Sequence, residues 1–109
     1  MLTNVTRRRA HVRHVPAEVD GCRIFLRTGE KQLMGMVRNL STHGAGVVLP
    51  QELEAGTEFM AKLTNGCQLF SIDIKMRVIH CTALAGSSYV IGCEFAAALD
   101  HDVVLALVR

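Results

Sequence analysis

Apolar and polar residues alternate most clearly between positions 70 and 78. There Phe70, Ile72, Ile74, Met76 and Val78 interleave with Ser71, Asp73, Lys75 and Arg77. A period of two puts the two sets on opposite faces of a strand, one against a core and one in water. Tyr89, Ile91, Cys93 and Phe95 form a second stripe, with Val90, Gly92 and Glu94 opposite. Shorter apolar tracts predict strands over 15–26 (with a break at Asp20 and Gly21), 33–40, 45–49 and 57–63.

Turn signals separate these tracts. Thr28 to Lys31 and the loop 50–56 are polar or glycine-containing, and Ser41 to Gly44 is a polar turn ending in glycine. Asn65 and Gly66 both tolerate positive φ and predict a tight hairpin. The last residues, from Leu99 or Asp100 to Arg109, predict a short helix with Asp100 as its N-cap. Val103, Val104, Leu105, Leu107 and Val108 make that helix apolar nearly all round, so it must pack on the strands or on a partner. About six strands and one terminal helix predict an all-β fold, a small six-stranded antiparallel barrel whose closure removes exposed edges. The expected division is a flexible basic arm over 1–14, the barrel over 15–98 and the helix over 99–109, within one domain.

Composition narrows the class. The chain has 109 residues, half hydrophobic and a fifth charged, which suits a globular domain rather than a disordered chain. No apolar run approaches the roughly 20 residues that span a bilayer, and no apolar stretch follows the N-terminal arginines as in a secretory signal. A cytoplasmic domain without membrane insertion is expected. The net charge is +2, but Arg7, Arg8, Arg9 and Arg13 give residues 1–13 a local +4 and leave about −2 elsewhere. Such a run serves either as a solvated tail or as an anion-binding arm.

The four cysteines, Cys22, Cys67, Cys81 and Cys93, contain no C-x-x-C pair and lie in apolar stretches, so they read as reduced, buried hydrophobes. His80 and Cys81 are adjacent, but strand neighbours point to opposite faces, which argues against a dyad. No Ser/His/Asp order, metal-ligand spacing or Gly-rich phosphate loop is present, so no catalytic residue, metal or cofactor is expected. A single-strand nucleic-acid barrel would present several stacking aromatics; here the aromatics are few, and Phe70, Tyr89 and Phe95 fall on predicted core faces.

Two motifs stand out. Arg9 and Arg13 form an Arg-x-x-x-Arg pair preceded by Arg8, and Asn39, Ser41 and Gly44 form an Asn-x-Ser-x-x-Gly turn one predicted hairpin later. A guanidinium is a planar fork matched to phosphate oxygens and to the O6/N7 edge of guanine. The Asn39 amide both donates and accepts, and the Ser41 hydroxyl does the same on a smaller scale. Gly44 would supply φ freedom and room for a flat base. The same residue types also make ordinary hydrogen-bonded turns.

In this order, with Ile91, Gly92, Cys93, Glu94 and Phe95 as a closing strand, the chain resembles the PilZ family of bacterial cyclic di-GMP receptors over nearly its whole length. The resemblance implies a six-stranded barrel with a C-terminal helix and no enzymatic activity. It also implies a cyclic di-GMP site formed by Arg8, Arg9, Arg13, Asn39, Ser41 and Gly44. By that resemblance Arg9 and Arg13 would grip phosphates and a guanine edge, and the turn would hold one guanine. Arg8 would accompany an intercalated pair of ligand molecules, and an arm mobile when free would order on binding. The alternative is a PilZ-like protein-interaction module that binds no ligand, with a downstream partner unnamed by either reading.

Overall fold

The computed structural model describes residues 21–108. Six strands run in the order β1 (Arg23–Thr28), β2 (Lys31–Leu40), β3 (Gly44–Leu49), β4 (Glu58–Thr64), β5 (Ser71–Ala83) and β6 (Tyr89–Phe95), followed by helix α1 (His101–Val108). All neighbouring pairs are antiparallel. They close as β1-β2-β3-β6-β5-β4, with β1 returning to β4, so the expected six-stranded barrel is formed.

The inward set is the one the alternation marks. Ile24, Leu63, Met76, Val78, Val47 and Ile91 are essentially inaccessible to solvent, and α1 adds Val104 and Leu107 to the same core. The apolar helix therefore packs on its own barrel. At its start the Asp100 carbonyl accepts the amides of Val103 and Val104, as an N-cap residue's does.

Element boundaries differ from the periodicity in instructive places. The first predicted strand, 15–26, is replaced among the described residues by β1 from Arg23, which runs on to a two-residue turn; Thr28 pairs with Lys31, and Gly29 has φ +60° while Glu30 does not enter the left-handed region. A glycine first in a two-residue hairpin suits the strand twist. Asn65 and Gly66 do not form the tight turn expected of them. The left-handed residue is Gln68, with φ 62°. Asn65 is buried, and its Oδ1 accepts the Leu69 and Phe70 amides at 3.0 and 3.2 Å, tying together a longer loop.

Strand β5 outruns its predicted end at Val78 because a β-bulge intervenes. The β6 register shifts between Val78 and His80, so Ile79 and His80 are both exposed and the alternation is lost. Beyond the bulge, Cys81, Thr82 and Ala83 resume pairing with Ile91, Val90 and Tyr89. A second bulge lies in β2 at Arg38, between Val37 and Asn39. An extra residue re-aims side chains at such a point.

Among the cysteines, only Cys22 and Cys93 are buried as expected; Cys81 is half-buried and Cys67 lies exposed in the β4–β5 loop.

Candidate functional site

Asn39, Ser41 and Gly44 come together at the end of β2 and the start of β3. The β2 bulge sets Asn39 opposite Gly46, and its side-chain Oδ1 accepts the Gly46 amide at 3.1 Å. That bond fixes the amide with oxygen towards β3. A Cβ on Gly46 would come within 3.0–3.3 Å of the Asn39 amide atoms, so the glycine lets the side chain lie against the strand.

Ser41 is buried, 2% exposed. Its Oγ accepts the amides of His43 and Gly44, at 3.2 and 3.3 Å, and donates to the Gly44 carbonyl at 3.3 Å. The Ser41 amide also donates to that carbonyl at 2.9 Å. Its hydroxyl is thus directed into the turn, not towards solvent. Next to it, Thr42 Oγ1 and the His43 ring Nδ1 are hydrogen-bonded at 2.9 Å on the exposed side.

Gly44 does not use the φ freedom expected of it, since its φ is not positive. It is required for close approach: a Cβ there would overlap the Cys93 carbonyl oxygen on β6. The turn is further tied to the end of the chain, because the His43 carbonyl accepts the Phe95 amide and the Thr42 carbonyl accepts the Leu99 amide, both at 2.8 Å.

Arg8, Arg9 and Arg13 lie outside the described residues. The chain enters the described barrel beside the turn: the Val37 amide donates to the Cys22 carbonyl at 2.9 Å, two positions before Asn39. On the neighbouring strand, paired with Gly44, Glu94 is already engaged in an ion pair with Arg77. The Glu94 hydrogen bond and charge hold the Arg77 guanidinium above its already high range.

The outward surface around Asn39 has a feature that periodicity did not reveal. Asn39 pairs with Gly46, Gly46 with Gly92, and Gly92 with His80, giving one row across β2, β3, β6 and β5. Both bulges fall at the ends of this row. Isolated glycines within strand patterns mark close approach, and this was the available signal. Concavities of about 1040 Å³, beside Phe25, Met34 and Met60, and about 190 Å³, beside Glu58 and Arg77, are lined by none of Asn39, Ser41 and Gly44. Among the described residues no cluster of three His, Cys, Asp or Glu side chains is placed to hold a metal ion.

The comparisons agree with this architecture. The family model described as PilZ domain matches residues 7–109. Among solved structures, the chain is similar to the PilZ domain with c-di-GMP of YcgR from Escherichia coli. The TM-score is 0.70 and the identity 18%, over 92% of this chain and 86% of that one. No curated protein matches the chain significantly.

Proposed function

The chain belongs to the PilZ domain family, and from that premise we propose that it is a cytoplasmic receptor for cyclic di-GMP. The observation that supports this reading is the place where the described chain joins the barrel, beside the Asn39–Gly44 turn. The Cys22 carbonyl accepts the Val37 amide, two positions before Asn39. Gly21 is eight residues beyond Arg13, and an extended chain covers about 3.3–3.6 Å per residue, so the arginines reach the turn with ease. The similar PilZ domain of YcgR was solved with c-di-GMP, which adds support.

In this proposal Arg9 and Arg13 supply the cations and planar forks for phosphate and the guanine Hoogsteen edge. Asn39 presents its amide to a base, Ser41 holds the turn in shape, and Gly44 lets that turn sit flush on β6. Arg8 offsets the charge of a second, stacked ligand molecule. Ordering of residues 1–14 onto the barrel is the signalling change. The chain binds without turnover, needs no metal or cofactor and takes no nucleic-acid polymer.

Calorimetric titration of cyclic di-GMP into the wild type, Arg9→Ala and Arg13→Ala tests this. Binding with about two molecules per chain, strongly weakened in both variants, is expected. Absence of heat with the wild type, or unchanged affinity in both variants, overturns it. Appearance of a hydrolysis product with pure protein overturns the non-enzymatic part.

A second reading is favoured by one observation. Phe25, Met34, Met36 and Met60 are 36–58% exposed on the outer face of β1, β2 and β4, a surface suited to protein docking. A null titration together with a ligand-independent protein partner would establish that interaction module instead.

A further inference from the structure

The row Asn39, Gly46, Gly92, His80 is built from both ends towards its middle. Ala45, Val47, Ile91 and Cys93 all point into the core, so Gly46 and Gly92 face outward, Gly46 buried beneath the Asn39 amide and Gly92 half-buried beneath the His80 ring. Directly opposed residues of an antiparallel pair place their Cβ positions about 5 Å apart. Over one of these vacant positions lies the Asn39 amide. Over the other lies His80, whose Nε2, Cε1 and Cδ2 are the nearest atoms to the place a Gly92 Cβ would occupy. The β2 bulge aims the first side chain and the β5 bulge the second. His80 is exposed, and no hydrogen bond or ion pair to another described residue engages its ring. An exposed aromatic ring held against a glycine, with no bond to another described residue, suits contact with something flat.

We propose that His80 and the Gly46/Gly92 floor form a base-stacking subsite that extends the Asn39 turn across the barrel wall. The class of ligand group is a purine, received on the imidazole face while the Asn39 end supplies polar contacts. This subsite rests on the cyclic di-GMP reading and deepens it. Chemically it converts a one-sided grip by the turn into a site with contacts on both sides of the glycine pair.

The test is calorimetric titration of cyclic di-GMP into wild type, His80→Ala, His80→Phe and Gly92→Ala, with Arg9→Ala as the control for the arm. His80→Ala is expected to weaken binding about 10-fold, the scale of one base–aromatic stack. His80→Phe, which keeps the ring, is expected to stay within about 3-fold of wild type. Gly92→Ala pushes the ring aside and is expected to resemble His80→Ala. Thermal melting of the ligand-free His80 variants should match wild type, because the ring is exposed and makes no bond to another described residue. Unchanged affinity in His80→Ala, or equal losses in the Ala and Phe variants, overturns the subsite while Arg9→Ala still reports the receptor. Absence of wild-type binding overturns the receptor reading and the subsite with it.

Discussion

Ser41 and Gly44 are joined three times over: amide to carbonyl at 2.9 Å, hydroxyl to carbonyl at 3.3 Å, and amide back to hydroxyl at 3.3 Å. With the His43 amide also on the hydroxyl, removal of one oxygen leaves two amide donors without this acceptor. Ser41→Ala should therefore lose about 1–2 kcal/mol of stability. A domain of this size then melts roughly 4–8 °C lower per kcal/mol, readable by circular dichroism. Ligand affinity should fall with it, since the turn loses its shape.

Gly44→Ala should be worse than Ser41→Ala. The added methyl meets the Cys93 backbone oxygen, which cannot rotate away as a side chain could. Overpacking against backbone costs about 1–3 kcal/mol or more, and the β3–β6 seam must open to relieve it. A denaturant titration checks the order of the two variants.

Asn39 should tolerate aspartate in the free protein. The bond to the Gly46 amide uses only the side-chain oxygen, which a carboxylate also supplies. Asn39→Asp keeps this acceptor and is expected to melt above Asn39→Ala at neutral pH. Asn39→Ala should lose about 1 kcal/mol by leaving that amide without its partner.

The thiols give a pH-dependent signature. Burial pushes Cys22 and Cys93 up to about 12, with the nearby Cys81 adding to the rise at Cys93. Both are protonated in folded and unfolded chains below about pH 9, the ordinary thiol range, so stability is unaffected there. Above it the unfolded chain ionises while the folded one does not. The unfolded state then binds fewer protons, and stability falls by up to about 1.4 kcal/mol per pH unit per thiol until the folded values near 12 are passed. Melting temperature measured from pH 8 to pH 11 should fall, and less so in Cys93→Ala measured against its own pH 8 value. A thiol reagent at pH 8 should label exposed Cys67 at once and Cys22 and Cys93 only after unfolding.

Much of the barrel was legible in the chain. Strands β5 and β6 announced themselves through alternation, and the polar turn at Ser41 was visible as such. The alternation stopped at Ile79 because a bulge turns two consecutive residues outward, which is a property of pairing with β6 and not of β5 alone. Asn65 departs from its local turn pattern for a related reason. An asparagine next to glycine suits a tight turn, but here its side chain accepts two amides from residues four and five positions on, a contact that exists only once the loop has closed.

The sequence by itself determined the core faces of β5 up to Val78 and of β6, the polar turn at Ser41, and the order of the arginine and Asn-x-Ser-x-x-Gly motifs, because these depend on local periodicity and residue type. The tertiary structure alone decided that Ser41 points inward, that Gly44 is a contact glycine, and that Asn39 and His80 reach towards neighbouring glycines. The turn's own hydrogen bonds aim Ser41, and the other two facts follow from the registers of β2 on β3, β3 on β6 and β6 on β5, which join separate strands and are shifted by two bulges. No local pattern carries a non-local register.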